Sequence, residues 1–187
     1  MNGWTHPAVP IQTKAQPGAL ARIEPDGSFE GYAALFGRVD LGRDLILPGA
    51  FSRSLTERGA PGVRMLFQHD PAEPIGTWLS LREDGVGLHV RGRLTLDVAR
   101  ARDVLALMRA GAIDGLSIGF RAVEGRTDPR TRVRRLSRID LWEVSVVTFP
   151  MQPDARIAGV KHAPLAAAIR RGARRLRALP GLRPAMA

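Results

Sequence analysis

Three positions carry residue types and surroundings suited to acyl-transfer chemistry: His69, Ser117 and Glu143. In Gly115-Leu116-Ser117-Ile118-Gly119-Phe120, side-chain alternation along a strand puts Leu116, Ile118 and Phe120 on one face. Gly115, Ser117 and Gly119 take the other, so a lone hydroxyl stands on an almost bare surface. A nucleophile attacking a peptide carbonyl needs such clearance, although the same glycines would also admit a neighbouring strand. In Leu66-Phe67-Gln68-His69-Asp70-Pro71, a strand delivers His69 to its end and Asp70-Pro71 turns the chain away. His6 and His162 lie near the termini and His89 within a strand, so only His69 has the strand-to-loop placement of a base that meets substrate. In the run 139–147, Glu143 shares a face with Ile139, Leu141 and Val147, while Trp142, Val144 and Val146 occupy the other. Both faces read as buried, and a buried carboxylate needs a partner. An imidazole N–H would serve and would fix the tautomer; an arginine from the run 132–138 would serve equally.

The elements that must position these groups are mostly strands. Residues 28–36, 63–69, 75–81, 87–94, 116–123 and 139–148 have strand composition. Glu83-Asp84-Gly85 marks a hairpin turn. Pro48-Gly49 opens a helix over 50–58, and Asp97 is placed to cap a second over 98–110, with Gly111 as its stop. Short strands with two helices, lacking regular β-α-β alternation, predict a mainly β, α+β chain: a small barrel or curled sheet flanked by helices. Pro150 and Pro153 end the compact part, giving a domain over 1–155 and a tail over 156–187. In the tail, Leu165, Ile169, Leu176 and Leu179 recur among arginines at near-helical spacing, the pattern of a basic amphipathic helix that serves either as a partly disordered, solvated tail or as a partner-binding segment.

Composition narrows the chemistry. The 187 residues include no cysteine, which removes disulfides, thiolate metal sites and cysteine nucleophiles. Four histidines without a His-x-x-x-His spacing make a poor metal site, and no phosphate-cradling or dinucleotide glycine motif is present, so no metal or cofactor is expected. No apolar run reaches the ~18 residues of a membrane span, and the first ten residues do not read as a secretory signal. The formal charge is +10, yet all 18 acidic residues lie at or before Asp154, and eight of the 28 basic ones follow it. The body is therefore near neutral. Aromatic residues make up only 5%, too few for a base-stacking platform, so nucleic acid is not an expected partner.

The stretches GYAALFG (31–37), DLILPGAF (44–51), LFQHDPAEPIGTW (66–78), GLSIGF (115–120) and LWEVSVVTFPMQPDA (141–155), in that order, resemble the prohead maturation proteases of tailed phages. These are serine endopeptidases related in fold to the herpesvirus assemblins. The resemblance covers about 28–155 and leaves out the arginine-rich tail. It implies an assemblin-like barrel and a catalytic order of histidine, serine and a third member. His69 and Ser117 match the first two positions. The assemblins' third member is a second histidine after the serine; no histidine lies between Ser117 and His162 here, and Glu143 stands at the corresponding place, with Asp140 and Asp70 as substitutes. Oxyanion donors would be backbone N–H groups or an arginine, with Arg134, Arg135 and Arg138 near in sequence.

The resemblance further implies action inside an assembling procapsid in the host cytoplasm. Its partners would be the major capsid protein with its scaffolding region and other copies of the protease. The tail would be a packaging or scaffold-contact segment removed by self-cleavage. A second class of function is an inert assembly or scaffold protein whose basic tail binds capsid or nucleic acid. A third is a nucleic-acid binder driven by the tail alone.

Overall fold

The computed structural model describes residues 23–158. The tail helix expected beyond 158 and the histidines His6 and His162 lie outside them. In chain order the elements are β1 (Ser28–Leu35), β2 (Asp44–Ile46), α1 (Ser52–Arg58), β3 (Arg64–Phe67), β4 (Asp70–Glu83), β5 (Gly87–Leu94), α2 (Ala99–Arg109), β6 (Gly115–Thr127) and β7 (Arg134–Val147). A short 3-10 turn at Ala60–Gly62 follows α1. No described helix is long and apolar enough to cross a membrane.

All seven strands form one sheet in which β1, β5, β4, β3 and β7 are successive neighbours. One edge of β7 carries two parallel partners at different heights, β2 along 134–136 and β3 along 143–146. Its other edge pairs antiparallel with β6. The inward face holds Met65, Ile75, Leu88, Val90, Leu116, Leu141 and Val144, each no more than 1% exposed. Phe29 meets Trp78 edge-on at 5.7 Å between ring centroids.

Both helices pack by their apolar sides. Buried Ala101, Val104, Leu105 and Met108 repeat at helical spacing on α2. Asp97 does not cap this helix: Val98 occupies the cap position, and its side chain has no acceptor. On α1, Ser54 accepts the N–H of Leu141 at 2.8 Å, tying the helix to β7.

The outer edges of β1 and β6 are joined by the chain's own continuation. Tyr32 N–H donates to the Arg156 carbonyl and Ala158 N–H to that of Glu30. On the other side Leu116 N–H donates to the Ala155 carbonyl and Ile157 N–H to that of Asp114. This strap, residues 155–158, bridges the gap between the two ends of the curled, half-barrel sheet. It approaches so near that a Cβ at Gly31 would collide with the Arg156 carbonyl. Arg156, Ile157 and Ala158 thus belong to the fold, three residues past the boundary expected after Ala155. Gln152 anchors the approach to the strap: its side chain accepts from Leu35 N–H and donates to the carbonyls of Leu35 and Arg38.

Candidate active site

His69 sits in a tight turn rather than at a simple strand end. Phe67 pairs with Asp70, so Gln68 and His69 are the whole loop between β3 and β4. Both have positive φ, 56° and 62°, the conformation of a two-residue hairpin turn that favours glycine or asparagine. Residues of this size hold such angles only where the surroundings enforce them. Here β7 does so. Gln68 N–H donates to the Val146 carbonyl at 3.0 Å. Gln68 Nε2 donates to Thr148 Oγ1 at 2.7 Å, and Thr148 N–H returns a bond to Gln68 Oε1 at 3.3 Å. His69 N–H donates to Ser145 Oγ at 3.2 Å.

Glu143 reaches this turn because of a bulge. Gly119 pairs with Glu143 and Phe120 with Leu141, leaving Trp142 as an extra residue on β7. The extra residue reverses the alternation expected for this strand. Leu141, Val144 and Val146 all become fully buried, and Glu143 turns to the opposite face with Ser145. Trp142, expected inside, is 50% exposed and donates its indole N–H to Asp140 at 2.8 Å.

On that face His69 Nδ1 lies 2.6 Å from Glu143 Oε1, while Ser145 Oγ donates to Glu143 Oε2 at 2.5 Å. The hydrogen bond that the ring donates to Glu143, reinforced by the carboxylate's charge, raises the imidazole pKa above its ordinary value of 6.5 against the opposing effect of burial. With Nδ1 committed to the carboxylate, Nε2 is the nitrogen left for a reacting group.

Ser117 pairs with Ser145 directly across β6 and β7, and Gly119 with Glu143, so all four share one face of the sheet. The clearance read from the two glycines is already occupied. A Cβ at Gly119 would collide with the Glu143 carboxylate, and one at Gly115 with the Val147 carbonyl and the Pro150 ring. Ser117 is 3% exposed and borders a cavity of about 20 Å³, roughly one water, that Asp40, Asp44, Met151 and Gln152 also line. Among the described residues no hydrogen bond joins the Ser117 hydroxyl to His69. His69 and Glu143 are therefore brought into contact, and Ser117 is placed on their face one residue pair away.

The other acids are engaged elsewhere. Asp140 takes the Trp142 indole, Arg58 and Arg121, and the Trp142 hydrogen bond leads the effects that hold its carboxyl below the usual range. Asp70 accepts the N–H of Ala72 in the following chain. Arg134 grips Asp44 with two bonds of 2.7 Å, and Arg138 pairs with Glu124 at 2.7 Å. Arg135 lies exposed in register with Arg126. Glu143 finds its partners in His69 and Ser145, not in this arginine run.

Sequence reasoning missed Ser145 and Gln68. Ser145 lies two residues from Glu143 on the same strand, so period-two alternation was a signal for it. Gln68 had none, because the turn it occupies lacks the usual glycine or asparagine.

The described fold has solved counterparts. The capsid assembly protease of bacteriophage T4 aligns with a TM-score of 0.54 at 16% identity, over 64% of this chain and 80% of its own. A Kaposi's sarcoma herpesvirus protease aligns less well, with a TM-score of 0.46 at 15% identity, over 70% and 63%. In sequence, the prohead protease of Enterobacteria phage HK97 is 42% identical over 137 residues, 72% of this chain and 60% of that protein. The prohead protease of Escherichia phage T5 is 31% identical over 91 residues, 49% of this chain and 42% of its own. This chain thus spans about three fifths or less of the curated relatives it matches. The model of the caudovirus prohead serine proteases matches residues 19–168, most of the chain, and the chain belongs to that family.

Proposed function

We propose that this protein is a serine endopeptidase acting inside an assembling procapsid in the host cytoplasm. Its substrates are the major capsid protein with its scaffolding region, and other copies of itself. The observation that carries this reading is the 2.6 Å contact between His69 Nδ1 and Glu143 Oε1, which leaves Nε2 free on the face that Ser117 shares.

In this mechanism His69 Nε2 takes the Ser117 proton as Oγ forms a bond to the scissile carbonyl carbon, and the carbonyl π pair moves onto oxygen. Glu143 holds the ring and stabilises its cationic form. The tetrahedral species collapses, the C–N bond breaks, and the leaving amine takes the proton from Nε2. Water then repeats the sequence on the acyl-enzyme and releases Ser117. Arg134 and Arg138, held by Asp44 and Glu124, are poorly placed as oxyanion donors, which favours backbone N–H groups. Beyond Leu116 the outer edge of β6 carries no described strand partner, and it suits an extended substrate adding as a strand.

The test is intact mass of the wild type and Ser117→Ala, each co-expressed with the capsid protein, plus labelling by a serine-directed phosphonate. The expected result is new capsid termini and a labelled Ser117 in the wild type, both absent from Ser117→Ala, with label also lost in His69→Ala. A trimmed C-terminus confined to the wild type would extend the reading to self-cleavage of the tail. Identical masses and no label in either protein would overturn it in favour of an inert assembly protein.

A further inference from the structure

Ser145 is fully buried, yet its hydroxyl has two partners belonging to two different parts of the candidate site. A serine hydroxyl offers one donor and two acceptor lone pairs. The donor goes to Glu143 Oε2 at 2.5 Å, so the bond from His69 N–H at 3.2 Å is accepted by a lone pair. Each bond meets a need. In a two-residue hairpin the second loop residue has no ladder partner for its N–H. Glu143, whose side chain is only 12% exposed, gives one oxygen to the imidazole and would leave the other without this donor.

We propose that Ser145 is a positioning residue for the general base: one hydroxyl ties the His69 main chain to the Glu143 carboxylate, so turn, ring and acid move as a single unit. The proposal rests on the reading of His69 as the base. Ser145 lies directly across from Ser117 on the neighbouring strand, but its hydroxyl proton is committed to Glu143 and a lone pair to His69 N–H, so it supports the chemistry without being a second nucleophile. Without the hydroxyl, the carboxylate is free to rotate off Nδ1. The turn also keeps its strained angles with one anchor fewer, and the raised imidazole pKa relaxes downward.

The test compares Ser145→Ala with Ser145→Cys, which has nearly the same volume but a thiol that is a weak donor. In a Ser117→Ala background, NMR titration follows the His69 ring. In the active protein, kcat and KM are measured against pH on a capsid-derived peptide. The expected result, in whichever variant melts cooperatively, is a His69 pKa moved down toward about 6.5. kcat falls roughly 10- to 100-fold, within the usual worth of a positioned base, with KM little changed. A folded variant whose His69 titrates as in the parent, with kcat intact, overturns the proposal. The titration needs no turnover. A protein that shows the shift but cleaves nothing would sink the protease reading and leave the clamp standing.

Discussion

Glu143 lies over Gly119, its partner across the β6–β7 ladder, so closely that the carboxylate occupies the space a side chain would need. Glycine at 119 is thus the counterpart of the acid two strand positions from the serine. The prediction is that Gly119→Ala folds but pushes Glu143 off His69. Peptidase activity should fall at least ~10²-fold, as for other disturbed acid–base pairs. Activity assays beside a thermal melt check this, and an active Gly119→Ala would show that the carboxylate position is not critical.

The raised His69 pKa sets a pH dependence. The proposed base acts through its neutral ring, so activity should be lost as pH falls through a value above 6.5. In Glu143→Gln the acid limb should move down toward the ordinary value while the maximal rate drops by about 10²–10⁴. The stability contribution of the pair has the opposite trend. A pKa raised in the folded state stabilises fully below the unfolded value near 6.5 and is lost as pH rises through the folded one. Melting temperatures of the wild type and Glu143→Gln should therefore differ most just below pH 6.5 and converge once pH has risen past the folded value.

Truncation separates the strap's contribution from that of the arginine-rich tail. A chain ending at Ala158 should melt like the full-length protein. One ending at Asp154 loses buried Ala155 and Ile157 and five backbone hydrogen bonds. Those losses amount to on the order of 5 kcal/mol, comparable to the whole stability of a small domain. Circular dichroism should find the shorter chain largely unfolded.

Gln152→Ala removes the side chain that serves Leu35 and Arg38 together. Three lost bonds at about 1 kcal/mol each predict a destabilisation of roughly 3 kcal/mol, read from urea unfolding. The substitution leaves the His69–Glu143 contact untouched, so the acid limb of the activity profile should not move.

Much of this was readable from residue order. Composition and turn residues locate six of the seven strands and both helices, and the ordered motifs point to His69 and Glu143. The failures have identifiable physical causes. Periodicity placed Glu143 with Leu141 because a bulge leaves no mark in a hydrophobic pattern, and Trp142, as the extra residue, broke the count. The Gln68-His69 turn escaped because tertiary bonds from β7 hold angles that neither residue prefers. The strand Asp44–Ile46 is too short for a period, and its place comes from Arg134 gripping Asp44. The strap has no strand-like pattern at all, since its bonds go to segments about 40 and more than 120 residues earlier in the chain.

That strap has a consequence for biosynthesis. The first and sixth strands cannot be sealed together until Ala158 has left the ribosome, so the nascent chain carries the raw margin of β1 from residue 35 onward and that of β6 as well from residue 127. Such late, long-range closure makes folding slow and the half-made chain prone to pair with its neighbours. A newly made copy therefore stays open and adhesive until residues 155–158 arrive.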